Sequence, residues 1–336
     1  AVIGNTANPV SEGTWQYSTN AGSNWFDIGT VADDNTALAI SSATLIRFVP
    51  VGDYNGTPTA LTVRGLDNTY VAGFSDTAGS ETRVNVDTTT NGGTAAIAAA
   101  SASLNTSITA VNDDPVLTLP AGTTAYTEGA YQRITPSATL TDIDSANFAG
   151  GQLTVTISSG GEATDDLYIF TTANILASGV NLSYDFGSGM VLIGSISGGN
   201  GVGDPLILNF NASATAAAIE DVIENVFFRA VTDDPSTASR TIDFQITDGD
   251  TGTSTVQSRT MDITAVNDAP ITSITGDSPT FTENAGLVGL FSGASVDLVE
   301  AGDLVSQIVI TVDGLANGSD EKLIVDGHVI ELTDLN

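Results

Sequence analysis

Residues 109–115 read TAVNDDP, and residues 264–270, which lie 155 positions further along the chain, read TAVNDAP, so that six of the seven positions are identical. In a second match, residues 126–130 read YTEGA and residues 281–285 read FTENA, and the glutamate of each lies thirteen residues after the proline. Two matches at equal spacing indicate an internal repeat. The chain is therefore predicted to consist of successive copies of one structural unit.

An acidic cluster follows at a similar place in each copy. Asp142 and Asp144 precede an alternating apolar segment at 153–157, and Asp297 and Glu300 precede a similar segment at 308–312. Each copy is thus read as a linker (109–115 in the first case and 264–270 in the second), a glutamate, an acidic cluster and a strand. The late strands of the repeat are predicted at 45–48 and 61–63 in one copy and at 226–229 and 242–246 in the next, each pair bridged by an acidic turn, at 53–56 and at 233–235.

The two linkers predict unit boundaries near residues 112 and 267. They divide the chain into units 1–111, 112–266 and 267–336. The first unit lacks the glutamate and acidic cluster of the repeat, and the third is expected to stop before its late strands. We therefore expect the sequence to be a window on a longer array.

Short apolar alternations separated by Gly, Asn, Asp and Ser are typical of antiparallel β-sandwiches. Further examples are a strand at 206–210 and a hairpin at 324–329 whose turn is Asp326-Gly327. One segment, 213–227, instead places apolar residues at helical spacing behind Ser213, which is predicted to cap a short helix. The fold class is therefore predicted as all-β, with tandem sandwiches and one helix in the second unit.

The composition is acidic, with 40 Asp and Glu against 8 Lys and Arg among 336 residues and a formal net charge of −32. Nucleic acids and anionic membranes are poor partners for such a chain. Charged residues make up only 14% and apolar residues 41%, so the chain can bury a core if its carboxylates are screened. The sequence contains no uninterrupted run of 18 or more apolar residues, which is the pattern that predicts a membrane-spanning helix.

Catalytic groups are scarce. The chain has no cysteine, His328 is its only histidine, and Lys322 is its only lysine. The chain therefore lacks most of the groups from which a nucleophile, a base and an oxyanion partner are usually assembled, and it is predicted not to be an enzyme, with chemistry by carboxylates alone left open. Four aromatic residues, Trp15, Tyr17, Trp25 and Phe26, could form a sugar platform, although core packing explains them more simply.

The Val-Asn-Asp-x-Pro linkers, the Thr-Glu-(Gly/Asn)-Ala matches and the TDGD segment at 247–250 resemble the cadherin-like tandem repeats of large bacterial surface proteins, such as RTX-type adhesins. The resemblance covers residues 40–336. It implies Ig-like or cadherin-like β-sandwiches in a linear array, with calcium held at the joints between them. In cadherins the linker reads Asp-x-Asn-Asp, whereas here Ala110 and Ala265 stand at the leading position. One ligand per joint is thereby removed.

The resemblance further implies a set of calcium ligands in the linkers, the glutamate matches, the acidic clusters and the TDGD segment. These residues are Asn112, Asp113, Glu128, Asp142, Asp144, Asp248, Asp250, Asn267, Asp268, Glu283, Asp297 and Glu300. Calcium takes six to eight oxygen ligands in flexible geometry, which clustered Asp, Asn and backbone carbonyls supply. Asp and Asn are also ordinary turn formers, so a single pair indicates little and the repeated set carries the prediction.

These features predict a calcium-rigidified extracellular spacer of a large bacterial surface or adhesion protein. Its partners would be calcium ions and neighbouring repeats. Two alternatives remain open from the residues. One is a subunit of a self-assembling extracellular filament or surface layer, whose partners are other copies of itself. The other is a carbohydrate-binding module in the first unit, whose partner is a surface glycan.

Overall fold

The computed structural model describes residues 1–282, 285–314 and 321–332. These residues form several antiparallel sheets and a single short helix, which confirms the predicted all-β class. The chain forms two compact units with interleaved segments. The first comprises Ala1–Pro115, Asp142–Ala146 and Asp250–Gly252, and the second comprises Val116–Thr141, Asn147–Gly249 and Thr253–Asn336.

The first unit contains eight strands, which include the strands predicted at 45–48 and 61–63. They are β1 (Val2–Gly4), β2 (Gly13–Ser18), β3 (Phe26–Asp27), β4 (Ala37–Leu38), β5 (Leu45–Pro50), β6 (Leu61–Leu66), β7 (Asn85–Val86) and β8 (Ile97–Leu104). A five-stranded sheet has the order β7-β4-β1-β6-β8, and a three-stranded sheet has the order β3-β2-β5. All of their pairings are antiparallel.

Alternation along the short strands divides the core of the first unit between two clusters. Val2 packs in one cluster with Trp15 and Tyr17, while its neighbour Ile3 packs in the other with Val86. Successive side chains of a strand point to opposite faces, so the five-stranded sheet is covered by apolar residues on both sides.

The second unit contains the remaining strands and the helix. They are β9 (Val116–Thr118), β10 (Thr123–Thr127), β11 (Gln132–Arg133), β12 (Thr139–Thr141), β13 (Gln152–Ser159), β14 (Asp165–Ile169), β15 (Ile175–Ser178), β16 (Asn181–Asp185), β17 (Met190–Ser197), β18 (Leu206–Phe210), α1 (Ala216–Glu224), β19 (Val226–Ala230), β20 (Arg240–Thr247), β21 (Gln257–Thr264), β22 (Ile271–Gly276), β23 (Phe291–Asp297), β24 (Lys322–Val325) and β25 (His328–Glu331).

Two sheets of the second unit place side chains in one core. The larger has the order β10-β21-β20-β13-β18-β17-β16-β15, and the smaller has the order β11-β19-β14. Strands β9 and β12, β22 and β23, and β24 and β25 form three two-stranded sheets. Alternate residues of β13 and β20 in the large sheet and of β19 in the small sheet are buried in a common cluster with α1. Strand β10 pairs with β21 in parallel, and the other pairings are antiparallel.

The predicted helix exists, but its cap is different. Thr215, not Ser213, is the N-cap, and its side chain accepts a hydrogen bond from the backbone N–H of Ala218 at 3.3 Å. Ser213 instead belongs to the preceding turn, where its N–H donates to Asn211 Oδ1 at 2.8 Å. The helix ends at Glu224 because β19 begins at Val226.

The strand predicted at 308–312 is wrong, since these residues form no strand. The equivalent strand β13 lies between β18 and β20, which supply hydrogen-bond partners on both sides. No described strand pairs with residues 308–312, and alternation without a neighbouring strand does not make a sheet. The predicted hairpin is confirmed, with Asp326 and Gly327 at φ 50° and 76° in its turn between β24 and β25.

Candidate metal centres

The first linker is tied to the acidic cluster that follows it. Asp144 Oδ2 accepts a hydrogen bond from the backbone N–H of Asp113 at 3.1 Å, across 31 residues. The Asn112 side chain donates to the carbonyl oxygen of Asp113 at 3.2 Å. Three residues that the sequence predicts as ligands are thus brought together within the first unit.

Asp142 accepts hydrogen bonds within the acidic cluster through only one of its two carboxylate oxygens. Its Oδ1 accepts from the backbone N–H of Asp144 at 3.3 Å and from that of Ser145 at 3.0 Å. Its Oδ2 is buried and has no hydrogen-bond partner among the described residues. Burial raises the pKa of the Asp142 carboxyl, and the neighbouring Asp144 contributes to that rise. A buried carboxylate oxygen without a donor has the character of a cation ligand.

A cavity of about 480 Å³ lies beside this linker in the first unit, and its wall includes Asp53, Asn55, Asp113 and Asp144. Asp53 belongs to the turn after β5 and has a left-handed φ of 62°. The turn lies beside the linker because Gly56 and Ile108 exchange backbone hydrogen bonds of 2.9 and 2.8 Å. The sequence matches this turn to 233–235 but does not identify its oxygens as ligands.

The second linker repeats the contacts of the first. The N–H of Asp268 donates to Glu300 Oε1, across 32 residues, and Asn267 Nδ2 donates to the carbonyl oxygen of Asp268 at 3.0 Å. Glu300 Oε2 is buried without a hydrogen-bond partner among the described residues. The same is true of Asp142 Oδ2 in the acidic cluster that follows the first linker. Asp297, at the end of β23, accepts from the N–H of Val299 at 3.1 Å.

Glu128 also reaches the second linker. The N–H of Glu128 donates to the carbonyl oxygen of Thr264 at 3.0 Å, which extends the pairing of β10 with β21 by one residue. Its carboxylate Oε2 then accepts from the N–H of Val266 at 2.7 Å. The glutamate predicted from the YTEGA segment is therefore placed against the linker that ends its own repeat.

Three carboxylates meet at this linker. Glu128, Asp233 and Asp268 each place one oxygen within 4.8 Å of the other two, which is a spacing that could hold a metal ion. Asp233 was not identified from the sequence, although its turn was matched to the turn at 53–56. That match was the signal that could have found it.

A buried ion pair supports the turn that carries Asp233. Arg240 Nε lies 2.8 Å from Asp165 Oδ2, and both side chains are fully buried. Arg240 Nη1 also donates to the carbonyl oxygen of Ser236 at 3.1 Å, while Asp234 Oδ2 accepts from the N–H of Ala301 at 2.9 Å. These contacts hold both ends of the turn in place.

Three further residues were predicted as ligands. Asp248 follows β20 in the second unit and is buried. Asp250 belongs to the first unit and is exposed. Glu283 lies outside the described residues. A ligand role for these three residues stays a prediction.

The aromatic residues of the first unit have separate surroundings. Trp15 and Tyr17 are buried in the core, where Trp15 Nε1 donates to the carbonyl oxygen of Thr59 at 2.9 Å. Phe26 packs against the same core. The Arg47 guanidinium lies 4.2 Å from the centre of the Trp25 ring, which is partly buried. His328 lies exposed on β25.

No protein-family model matches the chain, and no curated protein matches it. In the described part of the chain, no helix combines the length and the apolar character that a membrane crossing requires.

Proposed function

We propose that the chain is a calcium-rigidified spacer of a large bacterial surface or adhesion protein, built from tandem cadherin-like β-sandwiches. The observation that carries the proposal is the agreement between the two linkers. In each, the N–H of the linker aspartate donates to a carboxylate 31 or 32 residues further on, and a buried carboxylate oxygen of the acidic cluster has no hydrogen-bond partner in the described part of the chain.

The ligand chemistry suits a hard divalent cation such as calcium. The oxygens available at the linkers belong to carboxylates, side-chain amides and backbone carbonyls, which are the donors that calcium prefers. In the second linker, Glu128, Asp233, Asp268 and Glu300 would hold the ion. In the first, Asp53, Asp113, Asp142 and Asp144 would do so. A divalent cation would also offset the mutual repulsion of these carboxylates in a chain of net charge −32.

The mechanical consequence follows from where the ligands come from. Each set combines residues of a linker with residues of the acidic cluster that follows it, so coordination would hold the linker in one conformation against that cluster. Bending at an occupied linker would break ligand bonds. An array of such linkers is therefore a stiff extracellular rod in millimolar calcium and a flexible chain without it.

Small-angle scattering tests this proposal directly. In 10 mM calcium we expect a longer maximum dimension and a larger radius of gyration than in chelator. The double variant Asp113→Asn with Asp268→Asn is the control, and it should scatter alike in both buffers. Identical curves for the natural chain with and without calcium would contradict the spacer function.

A further inference from the structure

The outer face of the small sheet in the second unit carries an unusual set of side chains. Alternation along β14 and β19 buries Leu167 and Phe228 in the core and turns Tyr168 and Phe227 outward. The register places Tyr168, Phe227 and Arg133 side by side, with Arg229 in the next row. We call this surface the aromatic–arginine face, and it consists of Tyr131, Arg133, Tyr168, Phe170, Phe227 and Arg229.

The aromatic rings of this face are in continuous contact. The ring centres of Tyr131 and Tyr168 lie 5.5 Å apart, with the rings edge to face. Those of Tyr168 and Phe227 lie 6.1 Å apart, and those of Phe227 and Phe170 lie 4.9 Å apart. Tyr131 is 52% exposed and Phe170 is 45% exposed. The rings thus form an apolar strip open to solvent at both ends.

Both arginines lie against these rings, and neither forms a salt bridge with a described residue. Arg133 lies 5.9 Å from the centre of the Phe227 ring, and Arg229 lies 5.2 Å from that of Tyr131. Arg229 Nη1 donates to the Tyr131 hydroxyl at 2.6 Å, and Arg133 Nη2 donates to Asn225 Oδ1 at 3.1 Å.

The missing salt bridges are informative in this chain. It has 40 acidic residues and only 8 basic ones, so an arginine can readily find a carboxylate. Here the rings hold two half-buried guanidinium groups, and most of their five N–H donors have no acceptor among the described residues. Asp166 lies opposite Arg229 on this face and interacts with its charge, but the two side chains form no salt bridge. The Tyr168 hydroxyl is a further polar group without a partner among the described residues.

The chemistry of the face selects its ligand. Aromatic rings offer flat apolar surface to a sugar ring, and an arginine fork recognises a carboxylate in two parallel hydrogen bonds. The net charge of −32 repels nucleic acids, polyuronates and a second copy of this chain over longer distances. A ligand with a single, isolated carboxylate escapes most of that repulsion.

We propose that the aromatic–arginine face binds a saccharide that carries an isolated carboxylate. The sugar ring stacks on Tyr131 and Phe227, and the carboxylate accepts hydrogen bonds from Arg229 and Arg133. None of these residues is among the proposed calcium ligands, and the saccharide site does not depend on the spacer function.

A matched pair of disaccharides tests the proposal by NMR titration of the whole chain in millimolar calcium. Glucuronosyl-(1→4)-glucose and cellobiose differ only in a carboxylate that replaces a hydroxymethyl group. We expect the acidic disaccharide to bind and cellobiose not to bind measurably. Arg229→Gln and Arg133→Gln should each weaken binding about tenfold, which is the loss expected for one charge-assisted pair. Arg47→Gln, which removes the arginine stacked on Trp25, is the control and should bind as the natural chain does.

Several results would overturn the proposal. They are equal binding of the two disaccharides, no binding of either, and a loss of binding in Arg47→Gln rather than in the other two variants. Sedimentation velocity adds a further arm, because concentration-dependent dimers that disappear in Arg229→Gln would assign the face to a second copy of the chain. If Arg229→Gln fails to fold, as judged by circular dichroism, Arg133→Gln and Arg229→Lys replace it, and the lysine should not restore two-point recognition.

Discussion

The two linkers share a backbone arrangement but differ in the carboxylates around it. At the second linker, oxygens of Glu128, Asp233 and Asp268 lie within 4.8 Å of one another, whereas at the first linker Asp53, Asp113 and Asp144 line a cavity of about 480 Å³. The second linker follows β21, and Glu128 comes directly after β10, the parallel neighbour of β21. The first linker follows Ile108, which pairs with Gly56 of the turn at 53–56. The repeated motif thus fixes the aspartate contact, and the neighbouring element decides how tightly further oxygens gather. We expect the second linker to bind calcium more tightly.

The largest expected effect concerns the support of the second linker. Asp165→Asn leaves Arg240 with Glu162, at 3.0 Å and partly exposed, as its remaining acidic partner. Breaking a buried ion pair costs about 3–5 kcal/mol when no partner remains, so we expect a loss of stability up to that size. We expect this loss in thermal unfolding both in calcium and in chelator, because the pair is buried independently of any ion. A loss confined to calcium-containing buffer would mean that the ion pair acts only through the metal site.

The comparison of the linkers themselves rests on the matched variants Asp268→Asn and Asp113→Asn. An ion that binds only the folded chain adds RT ln(1 + [Ca]/Kd) to stability, which is about 1.4–2.7 kcal/mol per site in 10 mM calcium for affinities of about 0.1–1 mM. We expect Asp268→Asn to lower the melting temperature in calcium more than Asp113→Asn does. Both should have little effect in chelator. An equal loss in both buffers would reduce these residues to turn formers.

Asp233→Asn should stabilise the folded chain without calcium and destabilise it with calcium. Without the ion, three carboxylates within 4.8 Å repel one another by about 1 kcal/mol per pair in bulk water, so removing one charge stabilises the calcium-free chain. With the ion, the same change removes a ligand and should weaken calcium affinity. Calorimetric titration together with unfolding in both buffers measures the two effects. Asp53→Asn is the matched change at the first linker and should show a weaker reversal.

The smallest effect is a pH dependence at the first linker. Burial raises the pKa of the Asp142 carboxyl in the folded chain, so protonation of Asp142 favours folding. This contribution is fully present below the unfolded-state pKa and is lost as the pH rises through the folded-state pKa. In chelator, Asp142→Asn should therefore be more stable than the natural chain at pH 7, and its advantage should shrink towards about pH 4. An advantage that is constant over this range would assign the stabilisation to another cause.

The sequence predicted the strands that have neighbours and missed the details that depend on packing. Alternation located β13, β18 and β20, which all bury one face in the same core. The same alternation failed at residues 308–312, where no described strand provides pairing. The spacing of apolar residues located the helix, but Thr215 caps it in place of the predicted Ser213, because Ser213 belongs to the preceding turn.

The candidate sites divide in the same way. The repeat alone determined that Asp113 and Asp268 occupy equivalent positions and that each is followed by an acidic cluster, because equal spacing in sequence is preserved when the same unit folds twice. Only the tertiary structure decided that Asp233 joins Glu128 beside Asp268, and that Arg133 and Arg229 lie on one aromatic face. These neighbours lie on strands and turns far apart in the chain, and the register and alternation of the sheets bring them together.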